Sequence, residues 1–171
     1  MVGRTNGTIA WLALGFFTLH NAEEALAFRT YLPRTPALLP EPFAKIATTV
    51  SYPTMLAALA VVTALALAIA VATAAWPQSS RALWTLLTLE AVLALNVVAH
   101  VLIALFVFHG YSPGLATAVL VNAPFAIYCF RRAHRERWVS SAALRATVPA
   151  ALLVHGPILI GGLWFAGWAT R

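Results

Sequence analysis

The sequence predicts an all-α integral membrane bundle of five transmembrane helices, with its N-terminus in the cytoplasm. Three observations predict it. Of the 171 residues, 61% are hydrophobic and only 9% are charged, against about a quarter charged in a soluble domain. The apolar residues gather in five runs, each near or above the ~20 residues that an ~30 Å hydrocarbon core requires of a helix. The basic residues collect mostly between the runs, where they orient a membrane protein. The net charge of +6 therefore carries no implication of nucleic acid. A single transmembrane domain, residues 1–171, accommodates the whole chain.

The runs fall roughly at 8–28, 46–75, 83–108, 114–131 and 146–168. The first ends in "FFTLHNAEEALAF", which sets His20, Glu23 and Glu24 among apolar neighbours. The second is long enough to tilt and opens with "SYPT", carrying Ser51, Tyr52 and Thr54. The third, "LEAVLALNVVAHVLIALF", holds Glu90, Asn96 and His100, and the fourth holds Asn122 beside Pro124. In the fifth, "LVHGPIL" places His155 next to Pro157, which cannot donate to the carbonyl of Leu153. Such a break is tolerated where the backbone lines a cavity or a neighbour satisfies it.

The connections read "RTYLPRTPALLPEPFAK", "WPQSSR", "HGYSP" and "RRAHRERWVSSAALR". The first is rich in proline and is expected along the interface. His109 and Tyr111 sit in a tight turn and read as interfacial groups, and His134 in the arginine run reads as solvated. With five spans, one side holds Arg4, Arg81, Arg131, Arg132, Arg135, Arg137 and Arg145, and the other holds Arg29, Arg34, Lys45 and Arg171. The richer side is cytoplasmic, which places the C-terminus outside. Trp76, Trp84 and Trp138 fall near the cytoplasmic boundary, and Trp164 and Trp168 near the other. A leader cut after the "ALA" at 25–27 would discard His20 and both glutamates. Alanine triplets are common in so alanine-rich a chain, and the uncut reading is preferred.

The acids carry the chemistry. All five are glutamates; Glu23, Glu24 and Glu90 lie inside runs, Glu41 and Glu136 in connections. No Lys or Arg lies well inside a run to neutralise them. A charge at mid-membrane costs at least ~2.5–3.5 kcal/mol, so each acid must be protonated, hydrated or bound to a cation. On a helix His20 lies about 40° from Glu24 and about 60° from Glu23, and Asn96 and His100 share a face at i, i+4. Counting ~1.5 Å per residue from the cytoplasmic boundary, His20 lies at about 18 Å, Asn96 and His100 at about 20 and 27 Å, and His155 at roughly 14 Å. Asn122 and Thr54 fall near 20 Å and Glu90 at about 12 Å by the same rise.

These positions predict a metal site between spans one, three and five. Its expected ligands are His20, Glu23, Glu24, His100 and His155, with Glu24 and Glu90 as acid–base groups and Asn96, Tyr52 and Asn122 in support. A nitrogen–oxygen set suits a divalent zinc, iron or manganese ion. The lone Cys129 excludes an internal disulfide and a cysteine-rich metal site. A site reached from the lipid bilayer implies a lipophilic substrate, acyl or isoprenoid-like. The same cluster also fits a proton- or metal-ion carrier, or polar glue in an assembly subunit.

"HNAEE" fits His-x-x-Glu-Glu, and "NVVAH" precedes "HGYSPGLATAVLVNAPFAIY", a Tyr-x-Pro-Gly turn entering a helix. Over roughly residues 10–165 the chain resembles the HXXEE family of small bacterial integral membrane proteins. The resemblance implies a multi-pass protein of the bacterial inner membrane and supports His20, Glu23 and Glu24. It supplies no reaction and no cofactor, and His155 rests on depth alone.

Overall fold

The computed structural model describes residues 2–158. They form, in order, α1 (Val2–Tyr31), α2 (Thr35–Leu38), α3 (Phe43–Ala47), α4 (Tyr52–Ala75), α5 (Ser80–Phe106), α6 (Leu115–Thr117), α7 (Ala123–Glu136) and α8 (Ser141–Leu153). A π-helical turn, Ala118–Asn122, joins α6 to α7, and a second, Val154–Ile158, follows α8. The helix starts are written in serines. Ser51, Ser79 and Ser140 hold extended backbone, and their hydroxyls accept from the N–H of Thr54, Ala82 and Ala143, which satisfies donors that a helix start otherwise leaves free.

The expectation of five spans is corrected here. Among the described residues, only α4 and α5 are long and apolar enough to cross a membrane. The physical reasons differ by segment. Helix α1 has 30 residues, but Asn6, His20, Asn21, Glu23 and Glu24 interrupt its apolar character. The run at 114–131 breaks into the short α6, a π turn and α7, whose last turns are basic. The π turn ends just before Pro124, which has no N–H to give the carbonyl of Leu120; the wider turn absorbs that lost bond. Helix α8 has 13 residues and passes into the π turn Val154–Ile158, where the described part of its run ends. Placing the N-terminus in the cytoplasm rested on an odd count of spans, and it falls with that count. The end of the run at 146–168, Trp164, Trp168, Arg171 and the side chain of Arg4 lie outside the described residues.

Small residues decide the packing. Helices α1 and α4 make the most extensive pairing, because Ala10, Ala13, Ala66 and Ala70 are buried and let the backbones approach. A methyl group on Gly7 would stand 3.5 Å from the Cα of Ala74. Polar side chains tie the pair along its length: Asn21 Nδ2 donates to Thr63 Oγ1 (2.8 Å), and the Tyr52 hydroxyl donates to the Ala25 carbonyl (3.0 Å). Helix α5 packs against α4, α7 and α8, and the Trp84 indole N–H donates to the Ala143 carbonyl of α8 (2.9 Å). The apolar core gathers toward the start of α5, where Leu83, Leu86 and Leu87 meet Ile9, Ala10, Ala13, Cys129, Ala133 and Trp138.

Candidate metal centre

At the far end of α1 and α5 the contacts change from apolar to polar. His20 is fully buried, and Glu24, one turn later, is nearly so. His100 of α5 faces them, its ring 5.0 Å from that of His20 and inclined by 75°. Glu24 Oε1 lies 3.3 Å from His100 Nε2 and 3.8 Å from His20 Nε2. One ligand atom from each of the three residues falls within 4.8 Å of the others, a separation that one ion can span. Asn96, one turn before His100, sets its Nδ2 2.9 Å from His20 Nε2 and 3.0 Å from His100 Nε2. The Nε2 atoms of both imidazoles therefore face one amide group.

A turn from α5 into α6 closes this end. Ser112 is buried, and its hydroxyl donates to the His100 carbonyl (3.1 Å). Gly114 adopts φ +81°, and a Cβ placed there would stand 2.7 Å from His20 Cε1, 2.9 Å from Glu24 Cγ and 2.9 Å from His100 Cε1. Glycine is demanded twice, by the left-handed backbone and by the lack of room.

Glu23 holds that turn. Its Oε1 accepts from the Ala116 N–H (3.1 Å) and the Tyr111 hydroxyl, and its Oε2 accepts from the Thr117 N–H (2.7 Å) and the Thr117 hydroxyl. Two of these donors are the free N–H groups of a starting helix, where a carboxylate is electrostatically favoured. Because the Thr117 hydroxyl gives its proton to Glu23, it accepts from His20 Nδ1 (2.9 Å). That bond fixes the proton of His20 on Nδ1 and leaves Nε2 as the free donor atom, the usual outer support of a metal-binding histidine. Partial burial and the Glu23 carboxylate push the Tyr111 phenol above its ordinary pKa.

A family model described as a protein of unknown function with HXXEE motif matches residues 11–129, well over half of the chain. The chain belongs to the HXXEE family. No curated protein and no solved structure matches it.

The HXXEE motif is thus divided between three tasks. His20 and Glu24 face α5, Asn21 ties α1 to α4, and Glu23 grips the turn. All four donors to Glu23 come from residues 111–117, so the carboxylate expected among the ligands is engaged elsewhere. Among the described residues the ligand group draws on α1 and α5, and His155, in the π turn after α8, is not in it. Spans one and three of the expected site are thus borne out, and span five is not part of the group. Tyr52 binds the Ala25 carbonyl rather than the cluster. Asn122 and Glu90 are fully buried, and among the described residues none of their side-chain polar atoms has a hydrogen-bond partner. Glu90 stands six residues before Asn96, about 9 Å along α5, too far to touch a shared ion. Tyr111, expected at the interface, is a partner of Glu23. Gly114, Ser112 and Thr117 were not singled out from sequence; the Tyr-x-Pro-Gly turn was the signal that contained them.

Proposed function

We propose that this HXXEE protein is a metal-dependent membrane enzyme whose ion is held by His20, Glu24 and His100. The observation that supports this best is the convergence of two imidazoles and one carboxylate, all buried, at ligand separations. Two histidines and one carboxylate form the ligand set that leaves positions open on Fe(II) for oxygen chemistry. Zinc in the same place would supply a Lewis acid for hydrolysis or isomerisation. The exposed faces of α4 and α5 carry Val61, Leu65, Val71, Leu102, Leu105 and Phe106, a surface that suits the hydrocarbon of a bacterial inner membrane. A site between α1 and α5, beside such a surface, admits a lipophilic substrate of acyl or isoprenoid type.

Elemental analysis of untagged protein, purified in mild detergent, tests the proposal. Stoichiometric iron or zinc is expected, and His20→Ala or His100→Ala should remove it. His134→Ala, an exposed residue of α7, should leave the metal unchanged. Full metal content in His20→Ala would overturn the proposal.

One observation favours a second reading, a proton conductor. Hydrogen bonds run unbroken from His20 Nδ1 through Thr117 and Glu23 to the exposed Tyr111. If the chain conducts protons, protein in sealed vesicles should dissipate a pH gradient, and Thr117→Val, which breaks the chain of hydrogen bonds, should stop it.

A further inference from the structure

We infer that Asn96 is a fourth protein ligand, which coordinates through Oδ1 after its amide turns half a revolution. The inference rests on the metal reading above and adds to it the donor that completes the cage. Three distances from the Asn96 amide nitrogen and from Glu24 Oε1 to the imidazoles, 2.9, 3.0 and 3.3 Å, and a fourth of 3.8 Å already describe a small polyhedron. Four ligands with bonds of ~2.0–2.1 Å at tetrahedral angles stand ~3.3–3.4 Å apart. The amide end of Asn96 stands about one ligand-to-ligand distance from the Nε2 atoms of both His20 and His100.

The chemistry of that position requires the turn. As the structure stands, the amide nitrogen faces both Nε2 atoms, at 2.9 and 3.0 Å. An ion that takes their lone pairs would meet the positive end of N–H dipoles. Rotation about the last side-chain bond replaces Nδ2 by Oδ1 at nearly the same place, and that torsion is broad and roughly two-fold. An amide oxygen is a hard donor of the kind that suits manganese. Asn96 thus serves two states: a cap on the imidazoles without an ion, and a ligand with one. Its position on α5, one turn from His100, keeps it aligned with the site in both.

The test uses the full-length protein in detergent, stripped of metal and titrated with Mn²⁺. Affinity and the metal-dependent shift in thermal midpoint are read for wild type, Asn96→Ala and Asn96→Asp. Asn96→Ala should bind about 10-fold more weakly or worse, the scale on which loss of a supporting group acts. Asn96→Asp should bind as tightly as wild type or tighter, because a carboxylate oxygen takes the place of the carbonyl. Equal weakening in both variants would mean that Asn96 acts only as an N–H donor, and no change in either would remove it from the site; each result overturns the inference while the metal site stands. Wild-type protein that binds none of Mn²⁺, Fe²⁺ and Zn²⁺ would overturn both. If Asn96→Ala does not fold, wild type labelled with ¹³C at the asparagine amide carbon decides. A hyperfine coupling from bound Mn²⁺ to that carbon is expected, and its absence would sink the idea.

Discussion

Helices α1 and α5 line two regions of this molecule and behave differently in each. Near the start of α5 they meet through Ile9, Ala10, Ala13, Leu83, Leu86 and Leu87, with Cys129, Ala133 and Trp138 closing the gap. Toward the end of α5 they meet through His20, Glu24, Asn96 and His100. The first region is held by volume: dispersion is non-directional, so shape is all that matters there. The second is held by direction, since each polar group must find a partner at a set distance. Damage to the first should therefore lower stability and spare the site, and damage to the second should do the reverse.

The largest expected effect lies at Gly114. Gly114→Ala forces a Cβ into His20, Glu24 and His100 and into a left-handed backbone. Bound metal, measured by elemental analysis, should fall to background, and full occupancy in this variant would show that the directional region is loose. Next comes Leu87, which has no exposed surface. Leu87→Ala should cost roughly 2–5 kcal/mol in reversible unfolding in detergent, while metal content per folded protein stays unchanged. Loss of metal there would erase the distinction between the regions.

A smaller effect is expected at Glu23. Glu23→Gln keeps the volume but replaces a carboxylate oxygen by an N–H₂ group among four donors. The turn should loosen and metal affinity fall about 10-fold, whereas Glu24→Gln should abolish binding outright. Equal losses in the two variants would place Glu23 in direct contact with the ion.

The smallest effect is at the apolar end. The Trp138 indole N–H, first, and Arg132 hold the Glu136 carboxyl below its ordinary value. A lowered value means that the contribution is present above the unfolded carboxylate pKa, ~4.3, and is lost as pH falls through the folded one. The thermal midpoints of wild type and Glu136→Gln should differ slightly at neutral pH and converge in acid. A gap that persists in acid would assign the loss to packing.

The half of the site that was legible in the sequence is the half that straight helices define. His20 and Glu24 are joined by 3.6-residue periodicity, and His100 reaches them through depth along α5. What escaped depends on the path of a turn. Neither spacing nor hydropathy tells that Tyr111, Ala116 and Thr117 close on Glu23, or that Gly114 leaves no room for a methyl group. The all-α character followed from the apolar runs, but the count of spans did not. Apolar content is blind to the polar stripe of α1 and to the π turn before Pro124. Glu90 was legible as an acid in an apolar run, and the lack of a hydrogen-bond partner for its buried carboxyl among the described residues was not.

The partners of Glu23 and His20 in the turn, Thr117 above all, lie 94 and 97 residues further along the chain, and that separation sets a timetable. Asn21 meets Thr63 only 42 residues on, so α1 and α4 are able to pair early. At ~5–20 residues per second of synthesis, the ribosome needs roughly 5–20 s to advance from Glu23 to Thr117. Until then the two carboxylates and the imidazole have neither the turn that closes over them nor Thr117 to fix the histidine proton. The site is a late product of translation, and its completion certifies that the chain has been made at least as far as residue 117.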